Sequence, residues 1–380
     1  MTNILSKVVG VVVVCGICVA CVMPRAQFTA AQEEKAQLPG FPNIRGFADS
    51  QVGKIATEPF KIEPQKELVF LALSGGGADG AFGAGILNGW TETKQRPEFT
   101  IVSGVSTGAL MAPFAFLGPA YDNVIKEIYT GGYAEQFVKA AHVTNVIFGA
   151  GLISAGSANS IISRFIDAHL LDDVARQHRK GRRLYVVTTN LDAQRPVLWD
   201  MGAIAASNRP DAASVFSEVL TASASYPGVF SPVLINVEAD GHQFTEMHID
   251  GGTTDPMFVG PENILKSVHV PPSGSTHKSL YMLINTKLEP SFEVTENTPL
   301  QVPSRAVFTM VKTERRNSVL AAYEFARRNG FKFNLTYLPK DIPDKGSVEF
   351  DTGYMRSLFE YGYELGRSGR AWQGAPPLPH

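Results

Sequence analysis

The chain has 380 residues and a formal net charge of −2, and 44% of its residues are hydrophobic. The near-neutral balance argues against a nucleic-acid partner and against a polybasic membrane patch, while the length and apolar share suffice for a large core. All three cysteines, Cys15, Cys18 and Cys21, fall within the first 21 residues, so the body has no thiol for an internal disulfide.

Residues 1–21 carry Lys7 ahead of an uncharged apolar run from Val8 to Val22. That run is shorter than the ~20 residues that cross a bilayer, so it predicts an export signal and not a permanent anchor. Val19-Ala20-Cys21 resembles the end of a bacterial lipoprotein signal. The resemblance implies lipidation at Cys21 and an exported protein tethered to a membrane, facing the periplasm or cell surface. Cleavage after Ala30 or Ala31 would instead release a soluble exported protein. Residues 22–64 are polar, contain Pro39, Pro42, Pro59 and Pro64 and lack periodicity, which predicts a tether. Glu33, Glu34 and Lys35 read as a solvated part of it.

The expected main folded body spans residues 65–290. Its first strand, Leu68 to Leu73, runs into Ser74-Gly75-Gly76-Gly77-Ala78-Asp79-Gly80 and then a helix. Bare amides in such a turn hold either a phosphate or a tetrahedral oxyanion. A nucleotide-triphosphate loop would require Gly-Lys-Ser/Thr, and a dinucleotide fingerprint an acidic ribose partner about twenty residues on; neither accompanies this turn. Gly83 and Gly85 are expected to serve close helix-to-sheet packing.

The next apolar segment ends in Gly104-Val105-Ser106-Thr107-Gly108, again followed by a helix-favouring stretch. Gly-x-Ser-x-Gly at a strand-to-helix turn is the pattern of a nucleophile elbow. Gly104 and Gly108 leave room for a strained backbone and a substrate, and the helix N-terminus favours negative charge beside Ser106. Taken alone, the pattern also fits a serine that merely caps a helix. Further strands are expected at Thr100 to Val102, Arg183 to Thr189, Val233 to Val237 and Leu280 to Asn285, with helices near 109–129 and 158–180. Leu170 to Val174 reads as a helix junction. Alternating strands and helices predict an α/β fold, a three-layer α/β/α sandwich with a mostly parallel central sheet.

His248-Ile249-Asp250-Gly251-Gly252 has the form of a strand-to-loop exit that offers Asp250 as a base, although most Asp-Gly pairs are ordinary turns. Residues 291–380 are expected to form a C-terminal helical extension packed on the core. In Ser304 to Arg328 the pattern turns Val307, Val311, Val319, Ala322 and Phe325 inward and Lys312, Arg315, Arg316, Arg327 and Arg328 to water. The basic face could alternatively meet anionic lipid. A second helix is expected from Tyr354 to Gly366.

Gly-Gly-Gly-x-x-Gly, Gly-x-Ser-x-Gly and Asp-Gly-Gly, in that order over roughly residues 66 to 290, resemble the patatin-like lipid acyl hydrolases. Ala222 to Pro232 is similar to a further Ala-Ser-x-Ala-x-Pro-x-x-Phe stretch of that family. The resemblance implies a Ser106–Asp250 dyad without histidine, an oxyanion hole from Gly75, Gly76 and Gly77, lipid esters at a membrane surface as substrates, and neither cofactor nor metal. Where the family commonly carries Arg or Lys before the last glycine of the loop, this chain has Asp79. Either Asp79 faces solvent or the substrate differs from anionic phospholipids. Two other readings stay open: a Ser-His-Asp esterase of the α/β-hydrolase type using His269 or His277, and a non-catalytic, membrane-tethered binding lipoprotein. His242 and His248 flank the Asp250 strand without the paired spacing of metal ligands.

Overall fold

The computed structural model describes residues 25–50, 67–136, 138–139, 153–259, 277–292, 294–298, 301–343 and 350–377. The segment 1–21 with Cys21, the stretch 51–64 and His269 lie outside the described residues.

The sheet contains β1 (Arg45–Phe47), β2 (Leu68–Leu73), β3 (Ile101–Val105), β4 (Arg183–Asn190), β5 (Arg195–Asp200), β6 (Val233–Ala239), β7 (His242–Asp250), β8 (Lys278–Ile284) and β9 (Lys332–Tyr337). The order is β1-β5-β4-β3-β2-β8-β9, with β7 joined to β4 and β6 to β7. The run β4-β3-β2-β8-β9 is parallel, and the other pairings are antiparallel. The helices are α1 (Ala30–Lys35), α2 (Gly80–Glu92), α3 (Thr107–Leu117), α4 (Asp122–Thr130), α5 (Ala155–Ile162), α6 (Ala168–Arg179), α7 (Met201–Ala205), α8 (Ala212–Ser223), α9 (Gln301–Asn329) and α10 (Thr352–Arg367).

Layering follows from the central strands. Every residue of β2 is buried, which is why its sequence is a continuous apolar run and not an alternation. Successive side chains point to opposite faces: Val69, Leu71 and Leu73 enter a core covered by α2, α3, α6, α8 and α10. Leu68, Phe70 and Ala72 enter a second core covered by Val319, Ala322 and Ala326 of α9 with Met257 and Phe258. Two helical layers therefore enclose the sheet. Leu170, Leu171 and Val174 lie inside α6 and are buried, so they form no junction.

Three expectations change. Residues 25–50 are docked and do not form a tether. Ala36, Leu38, Phe41, Ile44 and Phe47 enter the first core, β1 pairs with β5, and Arg45 forms a buried bidentate ion pair with Glu246 at 2.5 and 3.0 Å. Glu33 is buried and accepts a hydrogen bond from Asn190 Nδ2; burial, with the charge of Glu246 second, raises its carboxyl pKa. The polar composition hid an apolar residue every few positions.

The C-terminal region is helical except for β9, which extends the parallel sheet beside β8. Its sequence, KFNLTY, mixes polar and apolar residues, and Asn334 and Thr336 are buried with the apolar ones. Gly83 packs on the sheet as expected, but Gly85 faces α10: a Cβ there would stand 2.1 Å from the Phe359 carbonyl oxygen.

Candidate active site

One strand, β4, brings the two ends of the site together. Its Tyr185–Asn190 stretch is occupied on one edge by β5. The other edge must therefore hold both β3, which ends at the pair Val105 with Val187, and β7, which ends at the pair Asp250 with Thr188. Because Val187 and Thr188 are consecutive, β3 and β7 approach from opposite directions and their ends meet. Ser106 leaves β3 at the same place where Asp250 ends β7.

Ser106 Oγ donates to Asp250 Oδ2 at 2.5 Å. The serine is held at φ 56° and ψ −126°, a left-handed conformation that costs a side-chain-bearing residue about 1–3 kcal/mol. The surroundings leave it no alternative. A Cβ at Gly108 would stand 2.4 Å from the Leu73 carbonyl oxygen, and one at Gly104 2.4 Å from that of Gly108. The Ser106 amide donates to Ser223 Oγ at 3.0 Å, and Ser223 Oγ donates to the Val187 carbonyl at 2.6 Å.

Asp250 is 3% exposed. Its Oδ1 accepts the Gly252 amide at 2.7 Å, its own amide donates to the Ser225 carbonyl at 3.0 Å, and its carbonyl accepts from Thr189 Oγ1 at 2.9 Å. Burial pushes its carboxyl up to about 6, against the lowering effects of the Ser106 hydroxyl, the Gly252 amide and the Arg315 charge. A carboxyl with a pKa there has the protonation range that general-base chemistry near neutral pH requires.

The glycine loop crosses above the serine. A Cβ built on Gly75 would stand 3.0 Å from Ser106 Cβ and 3.6 Å from its Oγ, so the loop lies in van der Waals contact with Ser106. Its base is tied to β8. Asn285 Nδ2 donates to the Ser74 carbonyl at 2.7 Å, and Ser74 Oγ accepts the Asn285 amide at 2.9 Å. Among the described residues no hydrogen bond takes the amides of Gly75 or Gly76. Gly77 lies in a short turn of 3₁₀ helix that leads into α2.

Asp79 does not face solvent: it is 6% exposed and accepts from Tyr354 Oη of α10 at 2.9 Å. On α9, Arg315 also departs from the expected orientation. It shares the inward row of Val319, Ala322 and Ala326, is 7% exposed, and donates to Thr286 Oγ1 at 2.5 Å. Val307, expected to face inward, is exposed.

Of the histidines, His248 is buried, with Nδ1 against Thr188 Oγ1 at 2.9 Å and Nε2 against Glu246 at 2.8 Å. Burial holds its imidazole below the ordinary pKa. His277 is exposed and precedes β8. Since β8 is parallel to β3 through β2, His277 sits at the strand-beginning edge of the sheet, opposite Ser106. His242 is exposed at the start of β7, whose other end carries Asp250. Among the described residues no His, Cys, Asp or Glu group has the arrangement of a metal site.

Sequence reasoning missed Ser74, Asn285, Thr189 and Arg315. Each is a polar residue at a strand end or on an inward helix row, where partners come from distant segments. Ser223 and Ser225 were flagged only by the family-like Ala222–Pro232 stretch; here they hold the backbones of Ser106 and Asp250.

A family model described as patatin-like phospholipase matches residues 71–261, half of the chain. No curated protein matches it. Among solved structures, VipD from Legionella pneumophila is similar at 13% identity and a TM-score of 0.39, over 78% of this chain and 67% of its own. The type III effector protein ExoU is similar at 12% identity and a TM-score of 0.32, over 80% of this chain and 54% of its own. With Ser106 and the glycine loop both inside the matched segment, the chain belongs to the patatin-like phospholipase family and is a hydrolase of lipid esters.

Proposed function

We propose that this protein cleaves carboxylic esters of membrane lipids, as a phospholipase A or lysophospholipase, through a Ser106–Asp250 dyad and an acyl-enzyme. The observation that carries the reading is the 2.5 Å hydrogen bond from Ser106 Oγ to a buried Asp250 carboxylate. Asp250 takes the hydroxyl proton as Oγ attacks the ester carbonyl carbon. The resulting oxyanion is held by the amides of Gly75, Gly76 and Gly77 and by the positive end of α3. Collapse of the tetrahedral intermediate breaks the bond to the alcohol, which leaves with the proton from Asp250. Water, deprotonated by Asp250, then attacks the acyl carbon and restores Ser106. The decisive test is mass spectrometry of products from a mixed lipid panel. Free fatty acid and deacylated lipid are expected from the wild type and not from Ser106→Ala; fatty acid release that survives the substitution would overturn the dyad.

A lipid interface is supported by α9, which exposes Val302, Val307, Phe308 and Met310. Phe308 lies 5.6 Å from the ring of Tyr226, in the segment that holds Ser106 and Asp250. Met310→Asp is expected to lower hydrolysis of lipid in vesicles about tenfold while a monomeric short-chain ester is turned over as before, because the apolar area it removes meets only the bilayer. Equal rates on both substrates in wild type and variant would remove α9 from the interface.

We also place the protein outside the cytoplasm, anchored through a lipidated Cys21. Arg25, four residues on, is already docked on Asp192 at 2.6 Å. Four residues reach at most about 14 Å, so such an anchor would hold the body against the bilayer. Metabolic labelling with a clickable fatty acid should mark the wild type and leave Cys21→Ser unmarked; label retained by Cys21→Ser would contradict the anchor.

A further inference from the structure

Arg315 is a buried cation that lies within electrostatic reach of Asp250 and Asp79 without a direct ion pair to either. Among the described residues it donates once, to Thr286 Oγ1, and its Nε has no hydrogen-bond partner. Burial lowers its pKa to about 10, so it remains protonated at neutral pH. Taking a guanidinium out of water without a direct ion pair is unfavourable, and a bound anionic group would offset that cost.

Its position indicates what that group is. Thr286 packs on the glycine loop, since a Cβ on Gly76 would stand 3.1 Å from Thr286 Cγ2, and the neighbouring Gly75 touches Ser106. The guanidinium thus lies beside the glycine loop, within electrostatic reach of Asp250 and two helical turns along α9 from Phe308. An anion carried by a substrate whose ester reaches Ser106 would find there the unpartnered Nε–H, and a guanidinium recognises phosphate oxygens through its N–H fork.

We propose that Arg315 is a specificity-determining residue that binds the phosphodiester of a phospholipid whose ester carbonyl lies at Ser106. The proposal rests on the Ser106–Asp250 reading and deepens it. It assigns to a residue outside the family-matched segment the distinction between phospholipids and neutral acylglycerols.

The test compares kcat/KM for dihexanoylphosphatidylcholine and dihexanoylglycerol in wild type, Arg315→Gln and Arg315→Lys, both substrates being assayed on the same preparation so that any misfolded fraction cancels in the ratio. The phospholipid-to-neutral ratio should fall roughly ten- to hundredfold in Arg315→Gln, as loss of a charge-assisted hydrogen bond implies, and less in Arg315→Lys. Equal loss on both substrates overturns the proposal and leaves Arg315 a support of the fold or of the oxyanion. A second arm does not depend on turnover: Ser106→Ala is titrated calorimetrically with glycerophosphocholine and with inorganic phosphate. Binding of glycerophosphocholine that weakens about tenfold when Arg315→Gln is added supports the assignment. Binding of inorganic phosphate alone, or of neither, overturns it. If the wild type hydrolyses neither ester, the dyad reading fails, and this arm still decides whether Arg315 holds a phosphodiester.

Discussion

Replacing Asp250 by asparagine should sharply lower turnover and stabilise the protein at the same time. Loss of the base is expected to lower kcat/KM by about 10²–10⁴, and Ser106→Ala, which removes the nucleophile, by on the order of 10⁶. The stability effect has the opposite sign. Asp250 is buried and its carboxyl is raised to about 6, so the folded protein resists an ionisation that the unfolded chain undergoes near pH 4. The native state then binds more protons between these values, and stability falls as pH rises through that window. The full cost, about 3 kcal/mol, is present above pH 6 and absent below pH 4. Asp250→Asn should therefore melt higher than wild type at pH 8, with the gap closing at pH 4. The same carboxyl sets the acid limb of kcat/KM for the wild type, which should rise with pH through about 6. Arg315 lowers the Asp250 carboxyl, so Arg315→Gln should move that limb to higher pH. A limb that ignores both substitutions would mean that Asp250 is not the base.

Gly75→Ala should cost about 10²-fold in kcat with the fold intact. The added methyl would stand 3.0 Å from Ser106 Cβ, closer than carbon atoms ordinarily approach. The serine or the loop must give by some tenths of an ångström, and displacements of this order at a reacting centre cost about that factor. Gly75 does not have a positive φ, so the backbone itself accepts alanine. Gly108→Ala is the contrasting control: its methyl would meet the Leu73 carbonyl at 2.4 Å, main chain against main chain between α3 and β2. That variant should lose thermal stability as well as activity. Labelling by a fluorophosphonate, followed with time alongside melting curves, separates the two. Labelling of Gly75→Ala at the wild-type rate would remove the glycine loop from the reaction.

The N-terminal segment offers a second view of how charge is managed in this fold. Arg45, Glu246 and His248 form a buried array along β7, two and four residues from Asp250. Glu246 and His248 share the face of Asp250 on alternate positions of the strand, and Arg45 from β1 stacks 5.1 Å over Trp199. Removing one member of such a buried pair leaves an uncompensated charge and typically costs 3–5 kcal/mol. The docked residues 25–50 are thus bound to the strand that ends at Asp250.

Local chemistry was legible in the residue order. The fully buried strand β2 appears as an unbroken apolar run because parallel strands covered on both faces need no polar side. The elbow appears as Gly-x-Ser-x-Gly because a left-handed serine pressed between strand and helix tolerates nothing larger than glycine at Gly104 and Gly108. The end of β7 appears as Asp-Gly-Gly. What the order of residues could not show is which distant segments face one another. Ser106 and Asp250 are 144 positions apart, and only the shared edge of β4 brings them together. The polar strands β7 and β9 read poorly because their buried Glu246, His248, Asn334 and Thr336 find partners on other segments, so composition and environment disagree. Arg315 was turned to water by its charge alone, whereas its helix row is the inward one and its guanidinium donates to Thr286 beside the glycine loop. Helical and strand preferences act over a few residues, while burial of charge is settled by groups that meet only when the chain has folded.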